Sequence, residues 1–231
     1  MSCIVVQGPL YDKCMPLLLE DYKDCPHKIL STWNTEDPEK IQKLKEIGFR
    51  IVLNDYPSPR NTINHPAVTM KAGTELAKSL GYTHVLRFRT DIHCNDIHKL
   101  IRIYESYNKD KLVFLTWWQS PEHNPPHTYN AHLLDHIIYG PINEMLMYFN
   151  VLGSHQETRC CERFFQEIYF GKENLLYDDI KEQVTLCIGD LFDKNIQFFY
   201  TKPGREDHGE LLYRYINARV AGYICMSNVV T

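Results

Sequence analysis

Apolar residues recur along this chain in short runs that alternate with longer segments of helical period. The runs at 3–8 (CIVVQG), 27–33 (HKILSTW), 49–55 (FRIVLND), 84–90 (HVLRFRT) and 111–118 (KLVFLTWW) have strand length and end on turn-forming or polar residues. Two further runs, 133–140 (LLDHIIYG) and 196–202 (IQFFYTK), complete the expected strands. Between them, PEKIQKLKEIG opens on Pro38 and stops on Gly48, and HPAVTMKAGTELAKSLG opens at Pro66 and stops on Gly81. Proline fits a first helical turn, where its missing N–H would have no helical partner, and glycine fits the left-handed position past a helix end, so both segments read as helices. Helices are also expected over 96–107, 141–150, 160–170, 180–194 and 210–221. Strands separated by helices imply βαβ units and a mainly parallel sheet flanked by helices, an α/β class of fold. Ligands of such sheets sit beyond the C-terminal ends of the strands.

The loop QSPEHNPPHTYNAH at 119–132 is either a lid or a long crossing, and its apolar flanks make a domain boundary there a poor reading, so one domain is expected over 1–231. Composition narrows the classes. The chain is 44% hydrophobic and 23% charged, an ordinary globular balance. Its 25 Lys and Arg against 29 Asp and Glu leave a net charge of −4, which gives no global attraction to nucleic acid or an anionic membrane. Eight cysteines, at 3, 14, 25, 94, 160, 161, 187 and 225, form no CxxC pair and read as reduced core thiols. No signal-like N-terminus, no apolar stretch of about 18 residues and no N-x-S/T sequon occurs, so the expected compartment is the cytoplasm. Oligomeric state is not legible. GxGxxG, GxxxxGK[ST], GxSxG and HExxH are all missing, which removes the usual support for dinucleotide oxidoreductases, P-loop NTPases, α/β-hydrolases and zincins.

Candidate chemistry lies at the strand ends: Gln7-Gly8-Pro9, then Ser31-Thr32-Trp33-Asn34, then Asn54-Asp55, then Arg89-Thr90-Asp91. Gly8 would let a ligand approach the backbone closely, although such residues also end strands simply because they turn. Asp91 and His93 alternate along an extended segment and are expected to reach one ion. A carboxylate with an imidazole suits Mn²⁺, and carboxylate alone suits Mg²⁺ shared with phosphates. Arg87 and Arg89 share a face, and a buried arginine needs a phosphate or carboxylate partner. An Arg–Asp ion pair that merely pins a loop is an equal reading of the same residues.

Taken in order, VVQGPL, ILSTWN, VLND, NTINHPAVTMKAG and VLRFRTD resemble the WavE-like family of lipopolysaccharide and surface-glycan synthesis proteins. The resemblance covers about residues 3–100 well and the remainder loosely, and Gln7-Gly8-Pro9, Ser31-Thr32-Trp33 and Arg89-Thr90-Asp91 are its most specific parts. It implies a Rossmann-like GT-A glycosyltransferase fold, with a nucleotide-sugar half at 1–100 and an acceptor and catalytic half at 101–231. It further implies a metal-dependent transfer of sugar from a nucleoside diphosphate sugar to a glycan or glycoconjugate acceptor in surface polysaccharide synthesis. On that pattern Gly8 and Pro9 line the nucleotide, and Thr32, Trp33, Asn34, Asn54 and Asp55 surround base and ribose. Asp91 takes the metal position of a DxD motif, which here reads Asp91-Ile92-His93. Where the family often has Arg-Gln this chain has His65-Pro66, so only Asn64 is carried over there. Lys71, Arg87 and Arg89 are the cations expected near the phosphates. His208, in GREDHGE, is a candidate phosphate or metal contact, and the metal is Mn²⁺ or Mg²⁺. For the general base of an inverting transfer, Glu162 is preferred over Glu157 because Phe164 and Phe165 follow it, with Asp135 as reserve. Two other readings stay open: a sugar-nucleotide nucleotidyltransferase, whose usual Gly-rich basic loop QGPLYDKC does not supply, and a non-catalytic sugar-nucleotide or glycan-binding protein.

Overall fold

The computed structural model describes residues 1–57, 64–107, 110–115, 117–119, 131–133, 135–151, 161–173, 180, 182–186, 195–196 and 198–200. In chain order its first half runs β1 (Ser2–Gln7), α1 (Met15–Tyr22), β2 (Lys28–Trp33), α2 (Pro38–Glu46), β3 (Arg50–Asn54), α3 (Asn64–Ser79), β4 (His84–Arg89), β5 (Ile92–Cys94) and α4 (Ile97–Glu105). Then follow β6 (Leu112–Phe114), β7 (Trp117–Gln119), β8 (Ala131–Leu133), β9 (Ile138–Pro141), α5 (Ile142–Tyr148), α6 (Cys161–Phe170), β10 (Val184–Leu186) and β11 (Phe198–Tyr200).

Seven strands form one sheet in the order β10-β6-β9-β4-β1-β2-β3. β1 to β4 run parallel, β6 and β10 run the same way, and only β9 is antiparallel between β4 and β6. The fold is thus mixed α/β, Rossmann-like, with a mainly parallel sheet flanked by helices. Alternation along the strands builds two cores. Ile4, Val6, Leu30, Leu86 and Phe88 face α1, α2 and α4, whereas Cys3, Val5, Ile29 and Val85 face α3, α5 and α6. Near-continuous burial on both faces is why these strands read as apolar runs and not as strict alternations.

Helix α3 lies against β1 and β2 because Gly73 has no side chain: a Cβ there would stand 2.5 Å from Val5 Cγ1 and 3.1 Å from Ser31 Cβ. The ammonium of Lys28, buried at the start of β2, donates to the carbonyls of Tyr22 at 2.7 Å and Cys25 at 2.8 Å. It thereby satisfies carbonyl groups that the end of α1 leaves open.

Several expectations are corrected. Helix α1 was not foreseen, because MPLLLEDY sets Leu17, Leu18 and Leu19 side by side and so blurs the period that buries Met15, Leu18 and Tyr22. The run at 111–118 is two strands in different sheets, β6 and β7, and 133–140 is likewise β8 and β9 with a turn at Asp135 and His136. The expected helix over 180–194 contains the strand β10, whose Val184 and Leu186 pair in parallel with Leu112 and Phe114. The expected helix over 210–221 lies outside the described residues. β11 pairs antiparallel with β5, a segment read only as extended. Among the described residues no helix is long and apolar enough to cross a membrane.

Candidate functional site

The ends of β1, β2, β3 and β4 meet at one sheet edge and are stitched to each other. The Thr90 amide donates to Gln7 O at 3.0 Å, and its hydroxyl donates to Pro9 O at 2.7 Å. The Thr32 hydroxyl donates to Gly8 O at 2.7 Å. Gly8 has φ +124°, and a Cβ on it would stand 2.8 Å from Thr90 Oγ1. The Gln7 side chain turns inward, its Oε1 2.5 Å from the Thr69 hydroxyl of α3. On the other flank, Asn54 Nδ2 donates to Ser31 Oγ at 3.0 Å and Thr32 O at 2.8 Å, and Asn34 Nδ2 donates to Asp55 Oδ1 at 2.6 Å. Glu36, which carried no sequence signal, braces the first loop. It accepts from the Leu10 amide at 3.1 Å, and burial pushes its carboxyl above the ordinary value.

Trp33 is only 3% exposed, whereas Tyr56, two residues past β3, is 47% exposed. The two rings meet edge-on with centroids 4.9 Å apart, and His65 packs on both, at 5.5 Å from Trp33 and 4.9 Å from Tyr56. Burial lowers the His65 pKa. The aromatic surface open at this edge is therefore Tyr56, with Trp33 as its support. A tyrosine outside any strand gave no periodic signal by which to find it.

On the α3 face of β4 sit two arginines with different surroundings. Arg87 is 1% exposed, its guanidinium 4.9 Å over the Phe149 ring and its Nη1 2.9 Å from Asp135 Oδ2. That contact is close but not aligned as a hydrogen bond, and Arg87 Nε and Nη1 and Asp135 Oδ2 find no hydrogen-bond partner among the described residues. Arg87 thus supports the site from beneath, and does not present itself to phosphates as expected. Asp135, buried and held to Arg87, is equally displaced from the reserve role of general base. Arg89 is 23% exposed in its side chain and grips Asp91 with two parallel bonds, Nε to Oδ1 at 2.8 Å and Nη2 to Oδ2 at 2.7 Å. Tyr11 stands nearby: burial first, and the Asp91 carboxylate second, raise its pKa.

The Asp91–His93 pair expected to share an ion is engaged elsewhere: Asp91 sits in the turn after β4 and His93 in β5, each with its own partner. His93 Nδ1 lies 3.0 Å from Asp21 Oδ2 of α1, with its side chain 2% exposed. Both Asp91 oxygens already accept from Arg89. A divalent ion about 2.1 Å from one of them would stand roughly 4–5 Å from the guanidinium. At an effective dielectric of about 20 the like-charge repulsion there is about 7 kcal/mol, which offsets part of the ion's attraction to the carboxylate. Among the described residues no group of three or more His, Cys, Asp or Glu side chains is placed to hold a metal. The described part of the expected ligand set, Asp91 with His93, does not fit Mn²⁺ or Mg²⁺ as it stands.

His136, in the turn before β9, was also missed by sequence reasoning. Its pKa is pushed down to about 4, by burial first and then by Arg89 and Arg87, with Asp135 and Asp91 opposing. The folded state therefore favours the neutral ring, while the unfolded chain binds a proton near the ordinary imidazole value of 6.5. Stability is expected to fall as pH drops from 6.5 to about 4, and His136→Gln should flatten that limb relative to wild type in urea melts across the window. An unchanged pH slope in the variant would show that other groups govern it.

Lys71 Nζ donates to Asn150 Oδ1 at 2.9 Å. Asn64 is the first residue of α3, and Glu162 lies in the first turn of α6, its side chain outside the described residues. Glu157 and His208 are outside the described residues altogether.

No protein family and no curated protein matches this chain in sequence. Among solved structures it is similar to a cytidylyltransferase from Leptospira borgpetersenii, with 12% identity and a TM-score of 0.42 over 73% of this chain and 70% of that one. A nucleoside-diphosphate-sugar pyrophosphorylase from Vibrio cholerae is similar at 14% identity and TM-score 0.43, covering 80% and 91%. The apo form of the glycosyltransferase GlyE of Streptococcus pneumoniae is similar at 10% identity and TM-score 0.44, covering 80% of this chain and 44% of its own.

Proposed function

We propose that this chain is a transferase acting on sugar nucleotides, and specifically a glycosyltransferase that moves a sugar from a nucleoside diphosphate sugar to a glycan or glycoconjugate of the cell surface. The observation that carries the reading is the composition of one sheet edge. An exposed aromatic, Tyr56, stands at one end of it and a partly exposed guanidinium, Arg89, at the other. Gly8, without a Cβ, lies just past the end of β1, between the strands that lead to them. A nucleotide needs a stacking surface for its base, polar groups for its ribose and positive charge for its phosphates. Tyr56 supplies the first, Asn34 and Asp55 the second and Arg89 the third. The order of Gln7-Gly8-Pro9, Ser31-Thr32-Trp33 and Arg89-Thr90-Asp91 supports the same reading. With Asp135 committed to Arg87, Glu162 is the residue proposed to accept the proton of the acceptor hydroxyl.

Thermal melting with UDP-, GDP-, CDP-, ADP- and dTDP-sugars should single out one nucleotide that raises Tm, since a ligand bound only by the folded state stabilises it. The same nucleotide should change Trp33 fluorescence through Tyr56, and Tyr56→Ala should remove that response. If no sugar nucleotide shifts Tm, the transferase reading is wrong. Release of pyrophosphate from a nucleoside triphosphate and a sugar 1-phosphate would assign the nucleotidyltransferase reading instead.

A further inference from the structure

Resting on that reading, we propose that Arg89 itself supplies the positive charge that stabilises the leaving nucleoside diphosphate, with Asp91 as its positioning residue and no divalent cation required. The Arg89–Asp91 pair is asymmetric. The carboxylate end is 5% exposed and the guanidinium end 23%, so the pair presents its positive end at the strand edge and its negative end to the interior. Its two bonds use the Nε–Nη2 side of the guanidinium and fix the plane of the group, which an unsupported arginine would leave to several rotamers. That is the condition for electrostatic preorganisation: charge held in place before the reaction, with no reorganisation as it proceeds.

The transfer breaks the bond between the anomeric carbon and the β-phosphate oxygen, and its electron pair stays on that oxygen. A bond from the acceptor oxygen to the anomeric carbon forms, and the acceptor proton passes to a base. The diphosphate gains one negative charge in this step, and a guanidinium placed beside it neutralises that charge as a metal would. Arg87 does not serve, being sealed under Phe149, and Lys71 points to Asn150.

Calorimetric titration of UDP, GDP, CDP, ADP and dTDP into the protein, once in excess EDTA and once in Mn²⁺, tests this. The nucleotide that binds is expected to do so with the same Kd in both buffers. Arg89→Gln should weaken it by about 10- to 100-fold in both, the range for losing hydrogen bonds to a charged group, with Arg89→Lys recovering part of the loss. Asp91→Asn should keep EDTA-insensitive binding with a smaller loss. Thermal melts of each variant separate misfolding from lost contact. Binding that appears only with Mn²⁺ and vanishes in Asp91→Asn would overturn the inference and leave the sugar-nucleotide reading standing. Undiminished binding by Arg89→Gln would also overturn it. Failure of every nucleotide in both buffers would overturn the functional reading and this inference with it.

Discussion

Asp135→Ala is expected to destabilise the protein by about 3–5 kcal/mol, the cost of leaving a buried guanidinium without its carboxylate. Both side chains of the Arg87–Asp135 pair are 2% exposed, with 2.9 Å between charged atoms, so neither charge can turn to water when its partner is removed. Domain stabilities are only about 5–15 kcal/mol, and a single substitution of this size is a large fraction of the total. Asp135→Asn, which keeps the shape, gives a milder probe. Arg87→Met combined with Asp135→Leu removes both charges and is expected to regain much of the loss, because two apolar side chains carry no desolvation penalty. Urea midpoints at constant m-value measure all three. A double variant no more stable than Asp135→Ala alone would show that shape, not charge pairing, holds the turn before β9. The series also separates two roles: a general base at Asp135 would give Asp135→Asn near-native stability with lost turnover, whereas a structural partner loses stability first.

Physical range explains what the sequence disclosed and what it did not. β1, β2 and β4 were readable because each is buried on both faces, β3 at the sheet edge because its apolar Ile51, Val52 and Leu53 stand together, and the polar residues ending all four are local features. The destinations of those polar residues were not readable, since they depend on chain segments far away. His93 is 72 residues from the Asp21 that holds it, and the Arg87–Asp135 pair joins β4 to a turn that the sequence submerged in one long apolar run. The ion-pair alternative for the arginines, left open at the start, is the arrangement observed twice. Asp91 stands where a metal ligand was expected but faces a guanidinium, and no rule of spacing distinguishes those partners. The resemblance placed Trp33 beside the base, yet in a strand buried throughout it went inside and left Tyr56 outside. β10 failed for a related reason: KEQVTLC has too few residues for a strand signal, and its pairing with β6 comes entirely from tertiary contact.

Gly8→Ala is expected to cost about 1–3 kcal/mol of stability, the range for a residue forced into a sparsely populated backbone region. It is also expected to weaken nucleotide binding. Two separate penalties act at this position. A φ of +124° is open to glycine and strained for any residue with a Cβ, and that Cβ would meet Thr90 Oγ1 at 2.8 Å. Thr90 cannot simply retreat, because its hydroxyl holds Pro9 O at 2.7 Å and its amide holds Gln7 O at 3.0 Å. Any relief therefore moves the loop that lies between the proposed base and phosphate contacts. Thr90→Ala removes the Oγ1 atom and, combined with Gly8→Ala, isolates the two penalties as a double-mutant cycle. If the clash dominates, the pair should be nearly as stable as Thr90→Ala alone; if the backbone angle dominates, the loss should persist in full. A Gly8→Ala protein within about 0.5 kcal/mol of wild type, the usual scatter of a neutral surface change, would mean that this loop relaxes freely. A loop that relaxes freely does not preorganise a phosphate site, so the variant tests the site and its scaffold together.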